Sequence, residues 1–276
     1  GLEVYLQFDS LQREALVELR GADLRKIRRQ ALENLERHGV STTLVATIKR
    51  GVNDNEIGDI VRHALTWKCV RGVTLQPVQD AGRNQNFNKD TDRIMLSEIR
   101  RRVIETGVFG DQDMIPLPCN PESISIGYGL RNGAKVAPLT SMIPQEQLLA
   151  VMPNTISPEK YPVLREKFVE LFSLSSGPLN TSERIGELLC CLPTFEVPEG
   201  LSYENVFRVT IVQFLDRFNF CVGNVKRSCI HFVTETGAII PFDTYNLFYR
   251  NGKIDGIRAT LAGQTYGERH KEETPR

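Results

Sequence analysis

Apolar and polar positions alternate in blocks along the first 80 residues of the chain. Three short runs are apolar and rich in β-branched or aromatic residues: EVYLQF, TTLVATI and GVTLQPV. Between them, apolar residues recur at helical intervals, which predicts one helix ending at His38, before Gly39, and a second beginning near Asn53. Strands that are apolar throughout are typical of parallel sheets covered by helices. The order strand–helix–strand–helix–strand therefore predicts part of an α/β barrel or an open α/β sheet.

The pattern changes after Gly82, which divides the chain into two predicted domains, residues 1–88 and 89–276. The charged segment 267–276 is predicted to be disordered. A hairpin is predicted to turn at Thr236-Gly237. Helical patterns are predicted over residues 92–106, 160–173, 183–192 and 204–218. The last of these is strongly apolar, so it either belongs to the core or lines an apolar substrate site.

Composition excludes some classes of function. The 276 residues are 41% hydrophobic and 25% charged, with 34 basic and 34 acidic side chains. Such neutrality argues against non-specific nucleic-acid binding, and we interpret the basic runs 25–29 and 100–102 as solvated helix faces. No run of 18 apolar residues and no signal peptide is present, so the chain is predicted to be cytoplasmic and not transmembrane.

Six cysteines are present, and two of them are adjacent. They stand at positions 69, 119, 190, 191, 221 and 229. The adjacent pair argues against a simple disulfide framework. The number and spacing of the cysteines suit a protein of a reducing compartment. We interpret Cys190 and Cys191 as core residues of an apolar helix.

Polar side chains follow each of the three predicted strands. Gln7 and Asp9 end the first, Thr47 and Asn53 follow the second, and Gln76 ends the third. Ligands bind at the carboxyl ends of strands in parallel α/β folds. Two alternatives stay open: Asp9 as an ordinary loop carboxylate, and Asn53 as a helix N-cap.

Several of these segments resemble one enzyme superfamily. LERHGVSTTLVATIKRGVNDNEIGDIVRHAL and VTLQPVQDAGR resemble late barrel strands of radical S-adenosylmethionine (SAM) enzymes of the molybdenum-cofactor-cyclase type. VYLQFDSL, VKRSCIH and the later Gly237, Pro241-Phe242, Tyr245-Asn246 and Arg250 are similar to the branch of tetraether-lipid synthases and pterin methylases.

The resemblance implies a fold and a cofactor. The fold would be α/β: the C-terminal part of a partial (β/α)6 radical SAM barrel, strands 4–6, followed by an α+β accessory domain. The family's [4Fe-4S] cluster needs a Cys-x-x-x-Cys-x-x-Cys segment, which this sequence lacks. Its ligands are expected upstream, so a missing N-terminal segment or a partner polypeptide would complete the barrel and cover the apolar edge of the first strand.

The resemblance also assigns candidate site residues. Gln7 and Asp9 would face the SAM ribose or the substrate, Thr47 and Asn53 would contact SAM, and Gln76 would meet the adenine.

A second candidate site lies near the hairpin. Cys229 and His231 share one face of a strand, with Asp243 expected in the opposite strand, and together they could bind zinc or iron. Cys119 resembles part of an auxiliary-cluster region, but Ser228 and Asp243 stand where the family carries further cysteines. The alternative is a buried Cys229 and a hydrogen-bonded His231.

Two hypotheses of function follow. The first is a radical SAM enzyme, inactive as this isolated chain, that abstracts hydrogen from an unactivated C–H bond of a small molecule or lipid and leads to methylation or carbon–carbon coupling. The alternative is a non-catalytic half-barrel or subunit that binds a partner chain or a nucleotide.

Overall fold

The computed structural model describes residues 2–81, 84, 86–117, 120–141, 203–228, 230–250 and 252–261. The chain forms two compact units. The first comprises Gly1–Val78 and Asn88–Phe214, and the second comprises Gln79–Phe87 and Leu215–Arg276. The helices predicted at 160–173 and 183–192 and the tail 267–276 lie outside the described residues.

The predicted alternation of strands and helices is present in the first unit. The elements in chain order are β1 (Glu3–Gln7), α1 (Arg13–Arg20), α2 (Arg25–Arg37), β2 (Ser41–Ile48), α3 (Ile57–Thr66) and β3 (Val70–Pro77). Helix α1 was not predicted, whereas the other five elements are confirmed. Gly39 follows the end of α2 and adopts φ +61°, a left-handed conformation that glycine tolerates.

Further strands extend the sheet beyond β3. They are preceded by α4 (Leu96–Ile104), which confirms the helix predicted over 92–106. The added strands are β4 (Ile115–Pro116), β5 (Ile124–Asn132), β6 (Lys135–Pro138) and β7 (Val206–Val212). The sheet order is β1-β2-β3-β7-β5-β4, with β6 also paired to β5. Strands β1, β2, β3 and β7 are parallel, whereas β5 runs antiparallel to its neighbours. The described part of the chain is therefore an α/β structure built on a mixed sheet with four parallel strands.

The helix predicted over 204–218 is wrong. Residues Val206–Val212 form β7, which is buried along its whole length and pairs with β3 on one side and β5 on the other. Apolar residues at helical intervals also occur in a continuous apolar run, so periodicity alone could not separate helix from strand. The β-branched residues of this run favour the strand.

The two faces of the sheet differ in polarity. One face packs with the helices into the core, which includes Phe8, Leu32, Leu44, Ile60, Leu75, Ile99, Val103, Phe207, Val209 and Ile211. Because neighbouring residues in register share a face, the other face carries mostly polar residues: Glu3, Tyr5, Gln7, Thr43, Val45, Thr47, Gly72, Thr74, Gln76, Arg208 and Thr210. We call this second set the polar sheet face.

The second unit contains the predicted hairpin. Helix α5 (Val222–Val225) precedes β8 (His231–Val233) and β9 (Ile239–Pro241), which pair antiparallel. The turn includes Gly237 at φ +78°, which confirms the predicted turn position. Helix α6 (Phe242–Thr244) follows and runs into a π-helix, Tyr245–Tyr249, before α7 at 253–261.

Asp243 corrects one expectation. It lies in α6, not in the strand opposite β8, because the strand pairing ends at Pro241. Among the described helices, none is long and apolar enough to cross a membrane.

Candidate functional site

Asp9 lies at the centre of the strand ends and is completely buried. Its carboxylate accepts hydrogen bonds from Gln7 Nε2 at 2.7 Å and from the backbone N of Thr47 at 3.0 Å. Arg20 donates two more and Arg28 one, each at 2.8 Å. A carboxylate offers about four lone-pair sites, so that of Asp9 is saturated. Asp9 also adopts φ +61°, a left-handed conformation that few non-glycine residues adopt.

The two arginines keep this buried carboxylate charged. Burial raises the pKa of Asp9, but hydrogen bonds from Arg20 and Thr47 and the charge of Arg20 outweigh it, so the pKa is lowered. The hydrogen bond to Asp9 raises the pKa of Arg20. Burial lowers the pKa of Arg28, against the attraction of Asp9. The result is a buried ionic centre that connects α1 and α2 to the end of β1.

Asn53 bridges the backbone at the ends of β1 and β2 and is also completely buried. Its Nδ2 donates to the backbone O of Asp9 and of Thr47, each at 2.8 Å, and its Oδ1 accepts from the backbone N of Lys49 at 2.9 Å. It makes no side-chain cap of the helical turn that follows. Asn53 occupies the N-cap position, but its side-chain amide bridges two strand ends instead of capping the turn.

Gln7, Thr47 and Gln76 share the polar sheet face at the carboxyl ends of three neighbouring strands. All three are half-buried. Thr47 and Gln76 are partners in the β2–β3 register, and Gln7 Nε2 lies 3.5 Å from Thr47 Oγ1. The structure thus brings together three of the five side chains assigned to SAM, with Asp9 and Asn53 buried beside them.

A second polar cluster lies on the same face, nearer the amino ends of the strands. Arg208 of β7 pairs with Glu3 at 2.8 Å and reaches the hydroxyl of Tyr5 at 3.0 Å. Thr43 donates to Glu3 at 2.6 Å. Arg208 crosses Gly72 of β3, where a Cβ would lie 2.6 Å from Arg208 Cγ. Burial raises the pKa of Tyr5. Glycine at position 72 is what allows this arginine to span the sheet.

Sequence reasoning missed Arg20, Arg28 and Arg208. Arg28 belongs to the basic run interpreted as a solvated face, but its side chain is 7% exposed, whereas that of Arg29 is 78% exposed. Position 28 lies four residues before Leu32, on the buried side of α2, so helical spacing could have identified it. Arg208 lies in the segment predicted to be a helix over 204–218. Its alternation with the buried Phe207 and Val209 along a strand was therefore not recognised.

The predicted metal ligands are only partly described. Cys229 and Cys119 lie outside the described residues. His231 is exposed on β8, and Asp243 Oδ1 accepts from the backbone N of Leu215 at 2.7 Å. Over the part of the chain that the structure describes, no three His, Cys, Asp or Glu side chains are grouped to hold a metal ion. Metal binding by Cys119, Cys229, His231 and Asp243 stays a prediction.

The described residues can be tested against the two expected cofactors. A [4Fe-4S] cluster needs thiolates, but Cys69 is buried with its thiol pKa raised to about 12 by burial and by Glu36, and Cys221 is exposed. These residues do not fit a cluster. For SAM, Gln7, Thr47 and Gln76 are half-buried polar groups that fit a ligand, whereas the Asp9 carboxylate is saturated and Asn53 is completely buried with both of its N–H groups bonded.

Comparison with known proteins adds one relative. No protein-family model matches the chain. The chain is 29% identical over 284 aligned residues to 7,8-dihydro-6-hydroxymethylpterin dimethyltransferase of Methanocaldococcus jannaschii. The alignment covers 90% of this chain and 56% of that protein, so the chain spans about half the length of the relative. The similarity supports the pterin-methylase side of the resemblance seen in the sequence, with methyl transfer as the reaction class of the relative.

Proposed function

We propose that the chain is part of a radical SAM methyltransferase and that the carboxyl ends of β1, β2 and β3 bind the adenosine portion of SAM. One observation carries the proposal: Gln7, Thr47 and Gln76 lie half-buried on one polar sheet face, opposite an apolar face covered by helices. In α/β barrels, ligands bind at the carboxyl ends of the strands. A sheet with one polar and one helix-covered face suits a partial barrel in which the polar face is the inner one.

Asp9 and Asn53 serve this site as positioning residues. Asp9 fixes β1 to β2 through Thr47 N, and Asn53 fixes the backbone of Asp9 and Thr47 together. A binding site needs its contacting groups held rigidly by a supporting layer of hydrogen bonds. Contact of Asp9 or Asn53 with SAM itself is a weaker proposal, since their polar atoms are already bonded.

The relative directs the choice of substrate. Its name specifies a pterin as methyl acceptor, which favours methylation of a small nitrogen heterocycle over lipid carbon–carbon coupling. We therefore propose a pterin or a related bicyclic heterocycle as the small-molecule substrate of the complete enzyme.

The iron–sulfur cluster is proposed to be held outside the described residues. The sequence contains no Cys-x-x-x-Cys-x-x-Cys segment, and the chain corresponds to about half of its relative. A further segment or a partner polypeptide adding to the edge of β1 would bring the thiolates. We assign no step of radical chemistry to the side chains described above.

A second candidate function is nucleotide or partner binding without radical chemistry. The observation that favours it is that, of the two described cysteines, Cys69 is buried with a raised thiol pKa and Cys221 is exposed, and no described group of side chains could hold a metal ion. Nucleotide binding would use the same nucleoside site, whereas partner binding would not, and only the first candidate requires the chain to cooperate with a cluster.

Saturation-transfer difference NMR of SAM with this chain tests the proposal. The adenine and ribose protons should receive more saturation than the methionine protons, because the chain holds the nucleoside while the cluster would hold the amino acid. Excess adenosine should abolish the transfer. Equal transfer to both ends, or no transfer at millimolar SAM, would overturn the proposal.

A further inference from the structure

A cavity of about 520 Å³ lies within the second unit. Sites for small organic ligands typically measure roughly 300–1,000 Å³. Its walls include Asp80 and Asn84 from the 79–87 segment, and Phe220, Asn246, Phe248 and Lys253 from the C-terminal segment. None of these residues belongs to the strand-end site described above.

Two aromatic rings form an apolar corner of the cavity. The centroids of Phe220 and Phe248 are 5.4 Å apart and their planes meet at 88°. Phe220 is 38% exposed, although a phenyl ring of this size is normally covered. Perpendicular rings offer one face and one edge to a third planar group, and aromatic pairs prefer such arrangements. The corner therefore suits a flat ligand.

Two amides on the wall each use one N–H in a hydrogen bond to the backbone. Asn84 Nδ2 donates to the backbone O of Gln79 at 2.9 Å, and Asn246 Nδ2 donates to the backbone O of Phe242 at 3.0 Å. Among the described residues, the oxygen of each amide has no hydrogen-bond partner and can accept, and each nitrogen keeps a second N–H. Both amide oxygens can therefore receive N–H donors of a ligand.

Asp80 adds a charged acceptor. Its carboxylate pairs with Arg217, whose guanidinium also lies 4.8 Å from the centre of the Phe218 ring. The side chain of Asp80 is 16% exposed and that of Arg217 is 65% exposed. Lys253 is exposed at the wall and supplies a donor. The cavity therefore combines three acceptors, two cationic donors and an aromatic corner.

We infer that this cavity binds a planar nitrogen heterocycle of the pterin class, with its N–H edge towards Asp80 and the amide oxygens. The aminopyrimidinone edge of a pterin carries adjacent N–H donors that match a carboxylate and amide oxygens, and its ring carbonyl can accept from Lys253 or Arg217. The inference rests on the proposed function for the choice of heterocycle, and it assigns substrate recognition to the second unit.

Fluorescence titration with 6-hydroxymethylpterin tests the inference, since the probe reports binding without any turnover. The whole chain should bind it saturably. Asp80→Asn should weaken binding roughly tenfold or more, because a charged hydrogen-bond acceptor is replaced. Phe248→Leu should weaken it by a similar factor, and Asp255→Asn, in an exposed helix position, should leave it unchanged.

Lys253→Met provides a variant that should fold normally, because Lys253 is exposed. It should weaken binding severalfold without altering thermal unfolding. Absence of saturable binding by the parent chain, or equal affinity in all the variants, would overturn the inference. Displacement of the probe by SAM would also overturn it, because the cavity would then be a nucleoside site.

The same samples separate this inference from the proposed function. SAM contact through its adenosine protons with no pterin binding would reject the cavity and leave the methyltransferase assignment standing. Pterin binding that depends on Asp80, with no SAM contact, would support the cavity and reject the strand-end site.

Discussion

Arg208 and Glu3 form an ion pair of 2.8 Å across the polar sheet face, although 205 positions separate them in the sequence. Each side chain is only 6% exposed. The pair joins β7 to β1 across the two strands between them, and it connects the last parallel strand of the sheet to the first.

Removing one partner of this pair should destabilise the fold strongly. Arg208→Met or Glu3→Gln should each lower the free energy of unfolding by about 3–5 kcal/mol, since either removes the opposite charge from a buried ion pair. The double variant should lose less than the sum of the two. Urea unfolding measures all three. Arg62→Met, in an exposed pair with Asp59, should cost less than about 1 kcal/mol. Additive losses would show that the two charges do not interact.

Gly72→Ala should displace the arginine. The added Cβ would lie 2.6 Å from Arg208 Cγ and 2.7 Å from the backbone O of Arg208, so the strand or the side chain must shift. Overpacking of this kind costs roughly 1–3 kcal/mol. Gly58→Ala is the matched control, because its Cβ meets only the flexible end of Arg62 at 3.1 Å and alanine favours the helix by up to about 1 kcal/mol. Stabilisation by both changes would contradict the packing of Arg208 over Gly72.

Asp9 should make the stability depend on pH in the acid range. Its pKa is lower in the folded state than the unfolded value of about 3.9. Ionised Asp9 therefore contributes stability above that value, and the contribution is lost as pH falls towards the folded pKa. The difference in free energy of unfolding between the parent and Asp9→Asn should be largest above about pH 5 and shrink on acidification.

Urea midpoints measured from pH 3 to pH 7 check this dependence. Asp111→Asn, whose side chain is 81% exposed, should follow the parent curve. A parent–Asp9→Asn difference that stays constant across the range would contradict the lowered pKa of Asp9.

Cys69 should resist alkylation in the folded chain. Its thiol is buried and its pKa is raised to about 12, and only the thiolate reacts readily. Iodoacetamide at pH 8, followed by peptide mapping, should modify the exposed Cys221 and leave Cys69 intact until urea unfolds the chain. Equal modification of both residues in the folded chain would show that Cys69 is accessible.

The sequence predicts the elements whose patterning is unambiguous. β1, β2 and β3 are apolar runs bounded by helices with clear spacing, and all three are present. β5 was not predicted, because Gly127 and Gly129 interrupt its alternation. Both glycines are required by close neighbours: a Cβ at Gly127 would lie 2.8 Å from Met114 Sδ, and one at Gly129 would collide with Val136 Cγ1 and lie 2.9 Å from the backbone O of Ala137. Such contacts come from tertiary packing and leave no local signal.

The sequence predicts where the polar residues of the candidate site lie, but not which of them are available to a ligand. The polar residues after the strands do converge, because parallel strands bring their carboxyl ends to one edge. Which of them stay available for a ligand depends on partners distant in sequence. Arg28 and Arg20 saturate Asp9 from two helices, and no spacing rule identifies that pairing.

The affinity of the chain for SAM, measured by NMR titration in the parent, Gln76→Leu and Gln30→Leu, tests the central claim most directly. Gln76 lies half-buried at the end of β3, whereas Gln30 is exposed on α2. We predict saturable binding by the parent, weakening of roughly tenfold in Gln76→Leu from the loss of its hydrogen bonds, and no change in Gln30→Leu. Equal affinities in the three proteins, or no binding by the parent, would contradict a SAM site at the strand ends.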